Sequence, residues 1–121
     1  MVYNLKGKKN TLIWDGLDAG ITEKEYETKC PCCANRITYF IKDCVSINEV
    51  DSALIDYLEE NKVISAANGV YEIKKGIPGY VVPQSCDRCG SELWLIVGMK
   101  EIQPQRYEIY YKSAVYKSSD S

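Results

Sequence analysis

Two short stretches decide how this chain is read: Cys30-Pro31-Cys32-Cys33 and Cys86-Asp87-Arg88-Cys89-Gly90. Each places cysteines at i and i+3, Cys30 with Cys33 and Cys86 with Cys89. A tight turn between two strands points both sulfurs of such a pair to one side, and its backbone N–H groups donate to the thiolates. Two such turns facing each other present four sulfurs at the corners of a tetrahedron, which suits a metal bound at about 2.3 Å per thiolate. Pro31 fixes the entry to the first turn. Gly90 supplies the position that tolerates φ > 0 after the second. Ala34 stands at the matching place after Cys33, which predicts a less regular first turn.

The composition narrows the chemistry. The chain has 121 residues, six cysteines, ten tyrosines and no histidine. Without histidine there is no Ser-His-Asp or Cys-His hydrolase and no mixed Cys/His metal site. Hydrophobic residues at 45% and charged residues at 26% are those of one ordinary globular domain rather than a disordered or fibrous chain. No apolar run reaches the ~20 residues of a membrane span. The first ten residues carry no apolar leader. The expectation is a cytoplasmic protein without a membrane partner.

Three fates compete for the six cysteines: three disulfides, free buried thiols, or a four-sulfur metal site. Reduced cytoplasmic thiols argue against the first. The paired spacing favours the third, with Cys30, Cys33, Cys86 and Cys89 as ligands. Cys30 rather than Cys32 partners Cys33, because a shorter gap does not make a knuckle. Cys44, after Asp43 at a strand end, is expected as a small core residue. Cys32 is expected to point out of the knuckle, where exposure would make it the most reactive thiol.

On these residues the chain resembles the zinc-ribbon family, with its rubredoxin-like paired knuckles. The resemblance rests on Cys30-Pro31-x-Cys33 and Cys86-x-x-Cys89-Gly90, each followed by a β-rich segment, Ile37 to Ile41 and Glu92 to Val97. It implies an α+β fold, a small antiparallel zinc ribbon into which an amphipathic helix and a β-hairpin are inserted. The helix is read from Ser46 and Glu49 as a capping box and from the stripe Ile47, Val50, Leu54, Tyr57, Leu58, ending at Asn61 and Lys62. The hairpin is read from Asn68-Gly69 between Val63–Ser65 and Val70–Ile73. Gly76, Pro78 and Gly79 read as a break, and Thr11 to Trp14, Tyr80 to Val82 and Arg106 to Tyr111 as further short strands. Residues 1–116 form the expected single domain and 117–121 a disordered tail.

The resemblance implies one structural zinc ion. Iron also accepts four sulfurs, but the second knuckle lacks the proline and the first the glycine of an iron-carrying rubredoxin pair. A closed four-cysteine site has no open position for water and does no hydrolysis. A non-catalytic role is expected. Net charge is −2 and the pI about 5.2, unlike a strong nucleic-acid binder. Lys42 to Lys62 sets two lysines against Asp43, Glu49, Asp51, Asp56, Glu59 and Glu60, an acidic helix face that could dock a basic partner. Arg106, Tyr107, Tyr110 and Tyr111 crowd the last strand and are the candidate partner-binding residues. Tyr26 and Tyr39 are expected to pack over the metal. The leading expectation is a protein-interaction module of the adaptor or immunity type found among small acidic bacterial proteins. The alternative is a nucleic-acid-binding ribbon using Lys6, Lys8, Lys9, Arg88, Arg106 and the tyrosines. A redox carrier or thiol sensor using Cys32 and Cys44 ranks last.

Overall fold

The stretch Leu93-Trp94-Leu95-Ile96-Val97 is apolar at every position, so a strand made of it needs cover on both faces. The computed structural model, which describes residues 3–7, 9–17 and 24–117, provides that cover. The strands are β1 (Tyr3–Lys6), β2 (Thr11–Leu17), β3 (Tyr26–Lys29), β4 (Arg36–Tyr39), β5 (Val45–Ser46), β6 (Ser65–Ala67), β7 (Val70–Lys74), β8 (Ile77–Ser85), β9 (Glu92–Gln103) and β10 (Arg106–Lys117). The α-helix among the described residues is α1 (Ser52–Glu60). Eight strands form one antiparallel sheet, with β1-β10-β9-β8-β7-β6 in order, β2 also on β10 and β5 on β8. It curls into a half-barrel. β3 and β4 form a separate two-stranded arm.

Period-two alternation sorts the side chains of the central strands. Val81, Ile96 and Val115 point to one face, where they meet Leu54 and Leu58 of α1 and Ile73 and Ile77. Val82, Leu95, Val97 and Ile109 point to the other, where they meet Tyr26, Tyr39 and Ile41 of the arm and the turn after it. Leu54 and Leu58 are 1% and 0% exposed. Each such leucine contributes about 1.5–3 kcal/mol through burial.

The expected α+β zinc ribbon with an inserted helix and hairpin is therefore corrected. Among the described residues the chain is mostly β, 57% strand against 14% helix. The strand read over Glu92 to Val97 after the second knuckle forms, but not as part of a small ribbon. It is the first part of β9, which pairs with β8 and β10 along its length. The helix is shorter than expected. Ser46 does accept a bond from an amide N–H, that of Asn48, but it caps a 3₁₀ turn over Ile47–Glu49. Val50 is then extended, with φ −91° and ψ 168°, and α1 begins beyond it. The apolar stripe still reaches the core, with Ile47, Leu54 and Leu58 buried in it and Val50 and Tyr57 packed against them.

Three further differences concern the sheet. Pro78 and Gly79 lie inside β8 rather than in a break, Pro78 beside Glu72 where the β7–β8 register is irregular. β9 and β10 each run 12 residues, about twice the expected length. Ile41 turns into a 3₁₀ turn instead of extending β4. The Asn68-Gly69 turn forms as read, with φ 52° and 80° joining β6 to β7, but the strand before it is Ser65–Ala67 rather than Val63–Ser65. β10 includes Lys117, and the remainder of the expected tail, 118–121, lies outside the described residues, as does Lys8.

Candidate metal centre

The two knuckles have the same backbone. In the first, the Cys30 N–H donates to Asn35 O at 2.8 Å and the Ala34 N–H to Cys30 O at 2.8 Å. In the second, the Cys86 N–H donates to Ser91 O at 3.0 Å and the Gly90 N–H to Cys86 O at 2.9 Å. Ala34 holds φ 63° and Gly90 φ 75°. The expectation of a less regular first turn does not hold, because alanine accepts the left-handed conformation at the cost of some strain.

β3 and β4 carry the first knuckle, and the β8–β9 connection carries the second. The arm lies on the face of the sheet that Leu93 lines, and this brings the knuckles together. Cys30 and Cys86 are buried with Ile37 and Leu93, and Cys33, Cys89 and Tyr116 pack against them. Cys30 Sγ lies 3.6 Å from Cys89 Sγ, and Cys33 Sγ lies 3.5 Å from Cys86 Sγ. The four sulfurs all fall within 4.8 Å of one another. A tetrahedron with metal–sulfur bonds of about 2.3 Å has edges of about 3.8 Å. The cluster has the size and donor type to hold a metal ion.

Backbone amides and two side chains tune the sulfurs. The Cys89 and Arg88 N–H groups bond to Cys86, the former lowering its pKa most. Ser91 lowers Cys89 to about 6, through its hydroxyl first and its N–H second. Burial pushes Cys30 up to about 12, against the N–H groups of Cys33 and Cys32. At Cys33 the Asn35 N–H pulls down, but burial and the Cys86 and Cys89 sulfurs together raise it. Two thiols are thus held toward the thiolate and two toward the thiol. A cation would displace the remaining protons, so metal binding here releases protons.

Two residues of this surround were not foreseen. Ser91 is 3% exposed, and its Oγ lies 3.2 Å from Cys89 Sγ and 3.3 Å from Cys32 Sγ. Asn35, at the equivalent place in the first knuckle, directs Nδ2 at Cys86 Sγ from 3.8 Å. The signal available was position: both stand two residues after the second cysteine of a pair, where a knuckle turns its amide back onto sulfur.

The other cysteines lie apart from the cluster of four. Cys32 is exposed. Cys44 closes the 3₁₀ turn after β4 and packs against the arm-side core, and burial raises its pKa. The ring packed against the cluster of Cys30, Ile37, Cys86 and Leu93 is Tyr116, not Tyr26 or Tyr39. Those two stack on each other at 5.6 Å within the neighbouring core.

The residues of the last strand are already engaged. β10 is an interior strand, flanked by β9 on one side and by β1 and β2 on the other. Arg106 reaches Asp15 at 3.1 Å. The Tyr110 hydroxyl donates to Glu108 at 3.0 Å, and its ring packs on the helix-side core. Tyr107 and Tyr111 pack on the arm side, where the Tyr111 hydroxyl accepts from Thr28 Oγ1 at 3.4 Å.

Fold and site together define a curled antiparallel sheet with a four-cysteine cluster on one face. No protein-family model, no curated protein and no solved structure matches the chain. No helix among the described residues is long and apolar enough to cross a membrane.

Proposed function

We propose that this protein is a non-catalytic interaction module built around one structural zinc ion held by Cys30, Cys33, Cys86 and Cys89. The observation that carries the reading is the matched pair of knuckles with four sulfurs within 4.8 Å. Four thiolates fill a tetrahedral ion's coordination, leaving no place for water or substrate. The metal then does structural work, fastening the β3–β4 arm to the sheet. Structural zinc contributes about 10–16 kcal/mol of apparent binding energy in small modules, comparable with the stability of a whole domain. Zinc is favoured over iron because the knuckles lack the full Cys-Pro-x-Cys-Gly pattern.

The partner in this reading is another protein, met in an adaptor or immunity role in the cytoplasm. Support comes from β2, the strand outside β10, which leaves Leu12 49% and Leu17 61% exposed. Arg106, Tyr107, Tyr110 and Tyr111 stand directly behind this edge and fix its shape.

Elemental analysis of purified protein tests the metal. The expected result is one equivalent of zinc and no visible colour, with loss of circular dichroism signal when a chelator removes it. Protein free of metal, or unchanged in fold after chelation, would overturn the reading.

A further inference from the structure

A cleft of about 440 Å³ opens between the arm and the sheet edge. Lys29 and Pro31 at the first knuckle form one wall, and Lys6 and Gly7 at the end of β1 form another. Thr28 and Tyr111 line it where their hydroxyls meet. The size falls within the range of about 300–1,000 Å³ typical of small-molecule sites.

The charge of this cleft departs from the rest of the protein. The chain has a net charge of −2, yet among the described residues no carboxylate lines the cleft. Lys6 and Lys29 pair with no carboxylate among the described residues. The carboxylate nearest to Lys29 in the β3 sequence, Glu27, is taken by Arg36. Two lysines lining one cleft with a proline and a tyrosine suit a ligand with a doubly charged head and a flat body. Lysine serves as a point-charge binder of phosphate. A bare phosphate would leave the apolar wall unused.

We infer that this cleft binds an organic monophosphate of nucleotide size, with its phosphate between Lys6 and Lys29 and its ring against Pro31 and Tyr111. The inference does not depend on which metal the cysteines hold. The same lysines would also offset the negative charge of a four-thiolate centre, and the test separates the two roles.

The experiment titrates metal-loaded, isotope-labelled protein with adenosine monophosphate, inorganic phosphate and adenosine in separate arms, read by amide chemical shifts. The monophosphate is expected to shift Lys6, Gly7, Lys29 and Tyr111 saturably, with either fragment about tenfold weaker or worse. Lys6→Gln and Lys29→Gln should each weaken binding about threefold or more with unchanged metal content, and added salt should weaken it further. No saturable shift up to about 10 mM of the nucleotide, a fragment binding as tightly as the whole, or variants that bind like the wild type would overturn it. Variants that lose metal rather than nucleotide affinity would assign the lysines to the metal centre and overturn it as well.

Discussion

Ala34 and Gly90 occupy the same position in the two knuckles, and both hold a left-handed backbone, φ 63° and φ 75°. Each donates its N–H to the first cysteine's carbonyl four residues back. The geometry is set by the sulfur cluster, so both residues must adopt it. An L-residue with a Cβ pays about 1–2 kcal/mol for that conformation, and glycine almost nothing. Glycine gives back part of the gain through the greater freedom of the unfolded chain, about 0.4–1 kcal/mol. Ala34→Gly is therefore expected to stabilise the metal-loaded protein by up to about 1 kcal/mol, and Gly90→Ala to destabilise it by about 1 kcal/mol. Denaturant unfolding at fixed free metal checks both signs. Equal and opposite neutrality would mean that the cluster does not impose the backbone.

Ser91 is expected to set the pH at which a metal held by the cluster would be released. Its hydroxyl is the main cause that brings Cys89 down from its ordinary value near 9.0 to about 6. A depressed acid stabilises the fold above its unfolded pKa and loses that contribution as pH falls through the folded one. In the metal-free chain, Cys89 thus contributes in full above about pH 9, and the contribution fades to nothing below about pH 6. Ser91→Ala raises the folded pKa and narrows that window from below. With metal bound, protons then compete at higher pH, so the release midpoint moves upward. Loss of such a supporting bond costs about 10–100-fold in metal affinity. Competition with a chromophoric chelator across pH 5–8 measures the shift. Cys32→Ser, which touches Ser91 but leaves the four ligands intact, is expected to hold the midpoint in place.

The four-cysteine cluster was legible because its information is local. Spacing at i and i+3 sets each knuckle without reference to the rest of the chain, and Cys30, Cys33, Cys86 and Cys89 converge as read. The sheet was not legible, because its information lies in pairings between distant segments. The Ser46–Glu49 capping box was real at the level of the Ser46 hydroxyl, but a 3₁₀ turn uses the same acceptor as a helix. The acidic and apolar alternation after it could not show that Val50 would be extended. Gly76 does mark a break, in the turn between β7 and β8 with φ 85°. Pro78 and Gly79 read as part of the same break because glycine and proline weaken isolated strands, but between long neighbours they have another use. Gly79 pairs with Gly98 across β8 and β9, which no reading of either segment alone could reveal.

That glycine pair supplies the last prediction. A Cβ on Gly98 would lie 2.4 Å from Ile73 Cδ1, 2.7 Å from Ile77 Cγ2 and 2.8 Å from Ile73 Cγ1. A Cβ on Gly79 would lie 2.8 Å from Ile47 Cδ1 and 3.1 Å from Ile73 Cγ2. The two glycines form a dent in the sheet that Ile73 fills, 3% exposed, and this seats the β6–β7 hairpin on β9. The Ile73 Cδ1 tip could swing aside, but Ile77 Cγ2 and Ile73 Cγ1 are fixed near their backbones. Gly98→Ala is expected to destabilise by about 1–3 kcal/mol, the usual cost of overpacking a well-filled core. Ile73→Val alone should cost about 0.5–1.5 kcal/mol by leaving a gap. In the double variant the shorter side chain makes room for the new methyl, so the two costs should sum to more than the double variant shows. Thermal unfolding of the four proteins at fixed metal measures the coupling. Strict additivity would show that Ile73 does not fill the glycine dent.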